Sequence, residues 1–91
     1  MNEEQKELAE YILYISKCTL EDRKDKLIEE LSELIRALIK NDKENIIEEI
    51  ADVQILLYEY IKKAENKRFI NDMIDYKLNR YWRILDNGKT Y

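Results

Sequence analysis

The chain has 91 residues, with 16 Lys+Arg against 20 Asp+Glu for a formal net charge of −4, and it contains no Pro, no His, one Gly and one Cys. A single glycine cannot furnish the turns of a sandwich or barrel, which rely on Gly and Pro, so the chain is expected to be all-α. Without His there is no His-based catalysis or Zn–His site, and a lone Cys18 allows neither an intramolecular disulfide nor a multi-Cys metal site.

One domain over residues 1–91 is expected at this length. A single core is marginal in so short a chain, which favours a homodimer or homotetramer. The segment Met1 to Glu10 is acidic and polar, unlike a signal peptide, and no apolar run is long enough to span a bilayer. A cytoplasmic location without a membrane partner is therefore expected. Residues 1–52 hold 15 acids and 8 bases, a net of −7, while residues 53–91 hold 5 acids and 8 bases, a net of +3. The overall acidity argues against nucleic acid as a partner, which needs a basic face.

In chain order, the first helix is predicted from about Asn2 to Cys18, with Leu8, Ile12 and Ile15 on one face and Tyr11 beside them. Thr19 is a natural N-cap for the second, and Asp22 stands where a capping box needs an acceptor. The second helix carries the stripe Leu27, Ile28, Leu31, Leu34, Ile35, Leu38 and Ile39, and ends near Lys40. Asn41-Asp42 breaks the pattern, and Asp42 is placed to cap the third helix, which reaches about Ala64 with Ile46, Ile47, Ile50, Val53, Leu57 and Ile61 on its face. Asn66 is the expected cap of a fourth helix bearing Phe69, Ile70, Met73, Ile74, Leu78, Tyr81, Trp82 and Leu85, with Gly88 just past its end. The expected protomer is a four-helix bundle in which helices two and three form an antiparallel hairpin.

The second half of helix three, from Val53 through Tyr60 and Ile61, is apolar in nearly every direction. Such a helix is covered on all sides, and a second subunit is the expected cover. Cys18 reads as a small buried apolar residue.

Two acid pairs carry the chemistry. Glu30 and Glu33 lie three apart on helix two, and Glu49 and Asp52 three apart on helix three, so each pair shares a face. Both pairs fall on a flank of the apolar stripe, in line with Ala37 and Leu56 respectively. The mean of the two pair midpoints is position 41, the proposed turn, so a hairpin brings the pairs to one height, roughly 14 Å from that turn. With the apolar stripes facing each other, both flanks look out on the same side. Four carboxylates meeting there repel one another unless a cation joins them. Oxygen-only ligands suit a hard divalent ion, Mg²⁺ first and Mn²⁺ or Ca²⁺ as substitutes, and such an ion suits phosphate chemistry. An acidic ridge paired with Lys and Arg across an interface is the equal alternative on geometry alone.

The run Glu29-Glu30-Leu31-Ser32-Glu33-Leu34, fifteen residues between Glu33 and Glu49, then Glu49-Ile50-Ala51-Asp52-Val53 resembles the signature of the MazG-like all-α nucleoside triphosphate pyrophosphohydrolases. Dimeric dUTPases and phosphoribosyl-ATP pyrophosphatases are relatives of that family. The resemblance covers about residues 20–64, and more loosely the tail from Tyr76 to Leu85. It implies Mg²⁺-dependent hydrolysis of a (d)NTP to the monophosphate and pyrophosphate, a house-cleaning activity on nucleotide pools. It also implies metal ligation by Glu30, Glu33, Glu49 and Asp52. One of the acids, Glu30 among them, or the neighbouring Glu29 would orient or deprotonate the water. Glu29 has an equal alternative in an ion pair with Lys26 or Arg36.

Given a triphosphate, Lys77 and Arg80, which share a face of helix four, are candidates to bind it, with Arg83 or Lys89 beside them. Tyr11, Tyr14 and Trp82 are candidates to stack on a base. Two other readings stay open: a phosphoribosyl-ATP pyrophosphatase-like enzyme, and a non-catalytic helical oligomer that binds a protein partner.

Overall fold

A computed structural model describes residues 1–90. Four helices follow in order, α1 (Glu3–Ser16), α2 (Leu20–Lys40), α3 (Lys43–Ala64) and α4 (Lys67–Asp86), with no strand among the described residues. The fold is all-α, as expected, and each helix begins and ends for a local reason. Thr19 caps α2 through a reciprocal box: its Oγ1 accepts from the Asp22 N–H at 3.1 Å, and the Asp22 carboxylate accepts from the Thr19 N–H at 3.0 Å. Asn2 and Gln5 build a second such box at the start of α1. Asp42 accepts from the Asn45 N–H at 3.3 Å. Asn66 stands at the predicted position before α4, but its side chain makes no capping bond.

The scarcity of glycine shows at the helix ends. Lys17, Asn41 and Glu65 all close helices with φ near +55°, a region where a Cβ crowds the following carbonyl. Asn41 closes the α2–α3 turn with two bonds: its own N–H donates to the Leu38 carbonyl, and the Asp42 N–H to that of Ala37. Gly88 (φ +75°) ends α4 in the same way, with Gly88 N–H donating to Leu85 O and Lys89 N–H to Ile84 O. Cys18 is half-buried in the first turn, with its Sγ 3.1 Å from the Ser16 Oγ, rather than a core residue.

The hairpin of α2 and α3 is the main packed unit. Arg23 of α2 pairs with Glu59 of α3 at 3.4 Å. Positions 23 and 59 average to 41, so the antiparallel register turns about Asn41 as the sequence predicts. The faces that meet are shifted toward the acid flank, and of the predicted stripes of α2 and α3 only Val53 is buried. The buried residues of α2 are Glu30 and Ala37, and those of α3 are Val53, Leu56 and Glu59. The helices pack along the lines that bear the acids, while Ile28, Leu31, Ile35, Leu38 and Ile39 of the apolar stripe stay exposed. Ala37 explains the choice: its methyl, 4% exposed, lets the two backbones approach near the turn.

α1 docks on α3 through buried Ala9 and Leu13. Tyr58 Oη of α3 donates to Glu10 of α1 at 2.6 Å, and Lys62 pairs with the same carboxylate at 3.1 Å. The Tyr58 hydrogen bond, then that of Lys62, holds the Glu10 carboxyl below its ordinary value. The same bond and burial push the Tyr58 hydroxyl up to about 12.

α4 differs from the expected bundle member. None of its residues is buried, and it packs on no other helix over any length. The radius of gyration is 16.0 Å, against about 12 Å for a compact chain of this length. The accessible surface is 7684 Å², against about 5,700 Å² for a monomer of 11.1 kDa.

Candidate metal centre

The acids of the two helices converge within the hairpin seam. Carboxylate oxygens of Glu30, Glu49 and Asp52 lie within 4.8 Å of one another, and so do those of Glu29, Glu30 and Glu33. Glu30 belongs to both groups and joins them into one cluster. Little more than one turn of α2 and one of α3 suffice to build it, because spacing three keeps each pair on one face and the Asn41 turn sets the two pairs level.

This cluster sits deeper than the sequence suggests. Glu30 is 7% exposed, and Glu33, Glu49 and Asp52 are half-buried. An open ridge of acids would be solvated, but here the flanks that carry them form the helix contact. Burial chiefly, then a hydrogen bond with Glu30 and repulsion from Glu33, Glu30 and Asp52, raises the Glu49 carboxyl to about 7. The Oε2 atoms of Glu30 and Glu49 are buried and accept no hydrogen bond. A buried carboxylate oxygen without a donor is costly, and a divalent cation bound between the two would remove that cost.

Of the cations nearby, Lys26 pairs with Glu29 at 3.3 Å and with Glu30 at 3.4 Å. Glu29 therefore takes the ion pair that the sequence allowed it, at the exposed rim of the cluster. Lys26 supplies one positive charge to a group of five carboxylates, which leaves the rest uncompensated.

The other predicted site residues are not beside the cluster in one chain. Arg80 and Arg83 line a groove with Lys89, Tyr76 and Asn79, made by α4 and the residues after it alone. Lys77 is exposed on the same helix. Tyr11 and Tyr14 stand exposed on α1 and Trp82 on α4. The groove that adjoins the acids is lined instead by Glu33, Arg36, Ala37, Lys40, Asn45 and Glu49. Arg36 and Lys40, the two cations of this groove, were not among the sequence's candidates for phosphate contact. Their signal was available: with Glu33 and Ala37 they occupy positions i, i+3, i+4 and i+7 of one helix face.

The sequence that builds this hairpin matches a known family. The family model of phosphoribosyl-ATP pyrophosphohydrolase matches residues 1–68, which takes in α1, the hairpin and all five acids. No curated protein and no solved structure matches the chain. The match spans well over half of the sequence and stops where α4 begins, so the chain belongs to the phosphoribosyl-ATP pyrophosphohydrolase family, a branch of the MazG-like all-α pyrophosphohydrolases.

Proposed function

We propose that the protein is a Mg²⁺-dependent pyrophosphohydrolase that cleaves a nucleoside triphosphate between the α and β phosphates. The observation that carries this reading is the cluster itself: buried, unpaired carboxylate oxygens on Glu30 and Glu49 within reach of Asp52, inside a chain of this family. Glu30, Glu33, Glu49 and Asp52 would hold the metal, with Mn²⁺ as a substitute. Such an ion, when bound, neutralises phosphate oxygens and acidifies a coordinated water. Glu29 and Glu30 are the candidates to orient or deprotonate that water, and Glu29 must first loosen its pair with Lys26.

House-cleaning of (d)NTP pools is the first reading of the substrate. Phosphoribosyl-ATP, the compound in the matching family's description, is the second and is compatible with the same triphosphate chemistry. Incubation with Mg²⁺, a (d)NTP panel and phosphoribosyl-ATP should release pyrophosphate. Release of orthophosphate alone would overturn α–β cleavage, and turnover of phosphoribosyl-ATP far above every ordinary triphosphate would select the second reading.

The working unit in this proposal is a homodimer or a homotetramer. Each chain exposes about 2,000 Å² beyond a compact monomer of its mass, an excess in the range that obligate dimers bury. The uncovered stripe of α2 and the apolar side of α4 supply that surface. In such an assembly Lys77, Arg80 and Arg83 would meet substrate phosphates only from the α4 of a second copy, and the same holds for stacking by Trp82.

A further inference from the structure

The groove beside the acid cluster has a volume of about 290 Å³ and runs from Glu33 and Glu49 toward the α2–α3 turn. Its floor is the buried methyl of Ala37, which leaves the space above it open. Arg36 and Lys40 line it from α2, and Asn45 from the first turn of α3. At 1.5 Å per residue, Arg36 and Lys40 lie about 4.5 and 10.5 Å past Glu33 along the helix axis. Every other lysine on the N-terminal half of α2 is spent on a neighbouring acid: Lys24 on Glu21, and Lys26 on Glu29 and Glu30. Arg36 and Lys40 are exposed and enter no ion pair among the described residues, although Glu33 lies one turn from Arg36. The groove thus grades from acids that suit a cation to two free cations and an amide that suit an anion.

We propose that Arg36 and Lys40, with Asn45, seat the pyrophosphate portion of the substrate, the β and γ phosphates that leave together. This assignment rests on the pyrophosphohydrolase reading above. A metal held by Glu33 and Glu49 and a chain of phosphates laid toward the turn would occupy one continuous groove. Arg36 can grip a phosphate with two hydrogen bonds, and Lys40 adds a point charge farther out. The orientation follows: the nucleoside end points the other way, toward Glu30, Asp52 and the apolar residues of the seam.

The test is product inhibition in the full-length protein. Arg36→Gln with Lys40→Gln should raise the Ki of pyrophosphate by about tenfold or more, as loss of two charge-assisted contacts requires. The KM of the triphosphate should rise similarly, while inhibition by the nucleoside monophosphate and Mn²⁺ affinity stay unchanged. Both side chains are exposed, so the fold should be unaffected. An unchanged pyrophosphate Ki overturns the seat, and a rise produced instead by Arg80→Gln would move it to α4. If the wild type cleaves no triphosphate, the catalytic reading fails, and calorimetry with Mn²⁺-loaded protein and inorganic tripolyphosphate judges the seat by itself. Binding that the double variant loses upholds it; equal binding in both, or none in the wild type, overturns it.

Discussion

In the proposed metal centre, Glu49 is the residue at which a proton and a cation would compete. Its carboxyl is raised from an ordinary 4.5 to about 7, so the folded chain holds a proton there that the unfolded chain releases. Stability of the metal-free protein should therefore fall as pH rises from about 4.5 through 7. Melting temperatures in chelator across pH 5–8 should show that decline, and saturating Mg²⁺ should abolish it at pH 7.5. The cation needs the carboxylate, so Mn²⁺ affinity should increase up to about pH 7 and then level. Glu49→Gln should keep the hairpin, flatten both pH curves, and lower turnover by at least about 100-fold, since even outer-shell changes at metal sites cost about 10–100-fold. Full activity in that variant would place the centre elsewhere. The Arg23–Glu59 pair makes a different forecast. Glu59 is 5% exposed, and its one ion-pair partner among the described residues is Arg23. Arg23→Ala strands a buried charge and should cost about 3 kcal/mol in urea denaturation, whereas Arg23→Met with Glu59→Leu should recover most of it.

Helix ends are where the composition left its mark. With no glycine at the first three closures, Lys17, Asn41 and Glu65 adopt the left-handed region themselves. Asn accepts that conformation more readily than Lys or Glu, because its short polar side chain bonds locally. Lys17→Gly and Glu65→Gly should each stabilise the protein by about 0.5–1 kcal/mol, and Asn41→Gly by less, in parallel urea titrations. The caps divide similarly. Thr19→Ala should cost about 1 kcal/mol, as loss of a reciprocal box does, while Asn66→Ala should cost little because no capping bond exists to lose. Thr19, Asp42, Asn66 and Gly88 were all legible as helix boundaries from residue type and spacing. That the Asn66 side chain makes no capping bond was not, since a cap position and a cap hydrogen bond are separate facts. The two acid pairs were legible too, because spacing three and a turn at Asn41 depend only on helix geometry.

At the scale of the molecule, the uncovered surface is what supports the proposed assembly of several copies. The surface excess, the long α4 without a buried residue, and the exposed Ile28, Ile35 and Leu38 belong together. Light scattering should find a dimer or tetramer, and the thermal transition should move upward with protein concentration. Ile35→Glu with Leu38→Glu places charges on the open stripe, away from the acid cluster, and should dissociate the assembly. A wild-type monomer with a concentration-independent transition would refute the assembly. Apart from Lys67 and Arg68, α4 lies beyond the residues matched by the family model.

Composition and periodicity alone determined that the chain is helical, where its helices start and stop, and that four acids stand at one height about Asn41. These are local properties: residue spacing on a helix, capping chemistry, and the supply of glycine. Only the tertiary structure decided which faces meet. Apolar periodicity pointed to the Leu31–Ile35 stripe as the hairpin seam, yet the seam formed along Glu30, Ala37, Val53 and Leu56. Close approach at a small residue and the Arg23–Glu59 pair favour that line within one chain, and the stripe remains free for another. The same choice took the acids out of water, raised Glu49, and left oxygens of Glu30 and Glu49 without donors. Two acid pairs that sequence alone left between an open ridge and a cation site became a half-buried carboxylate cluster because of the rotation of two helices about their axes.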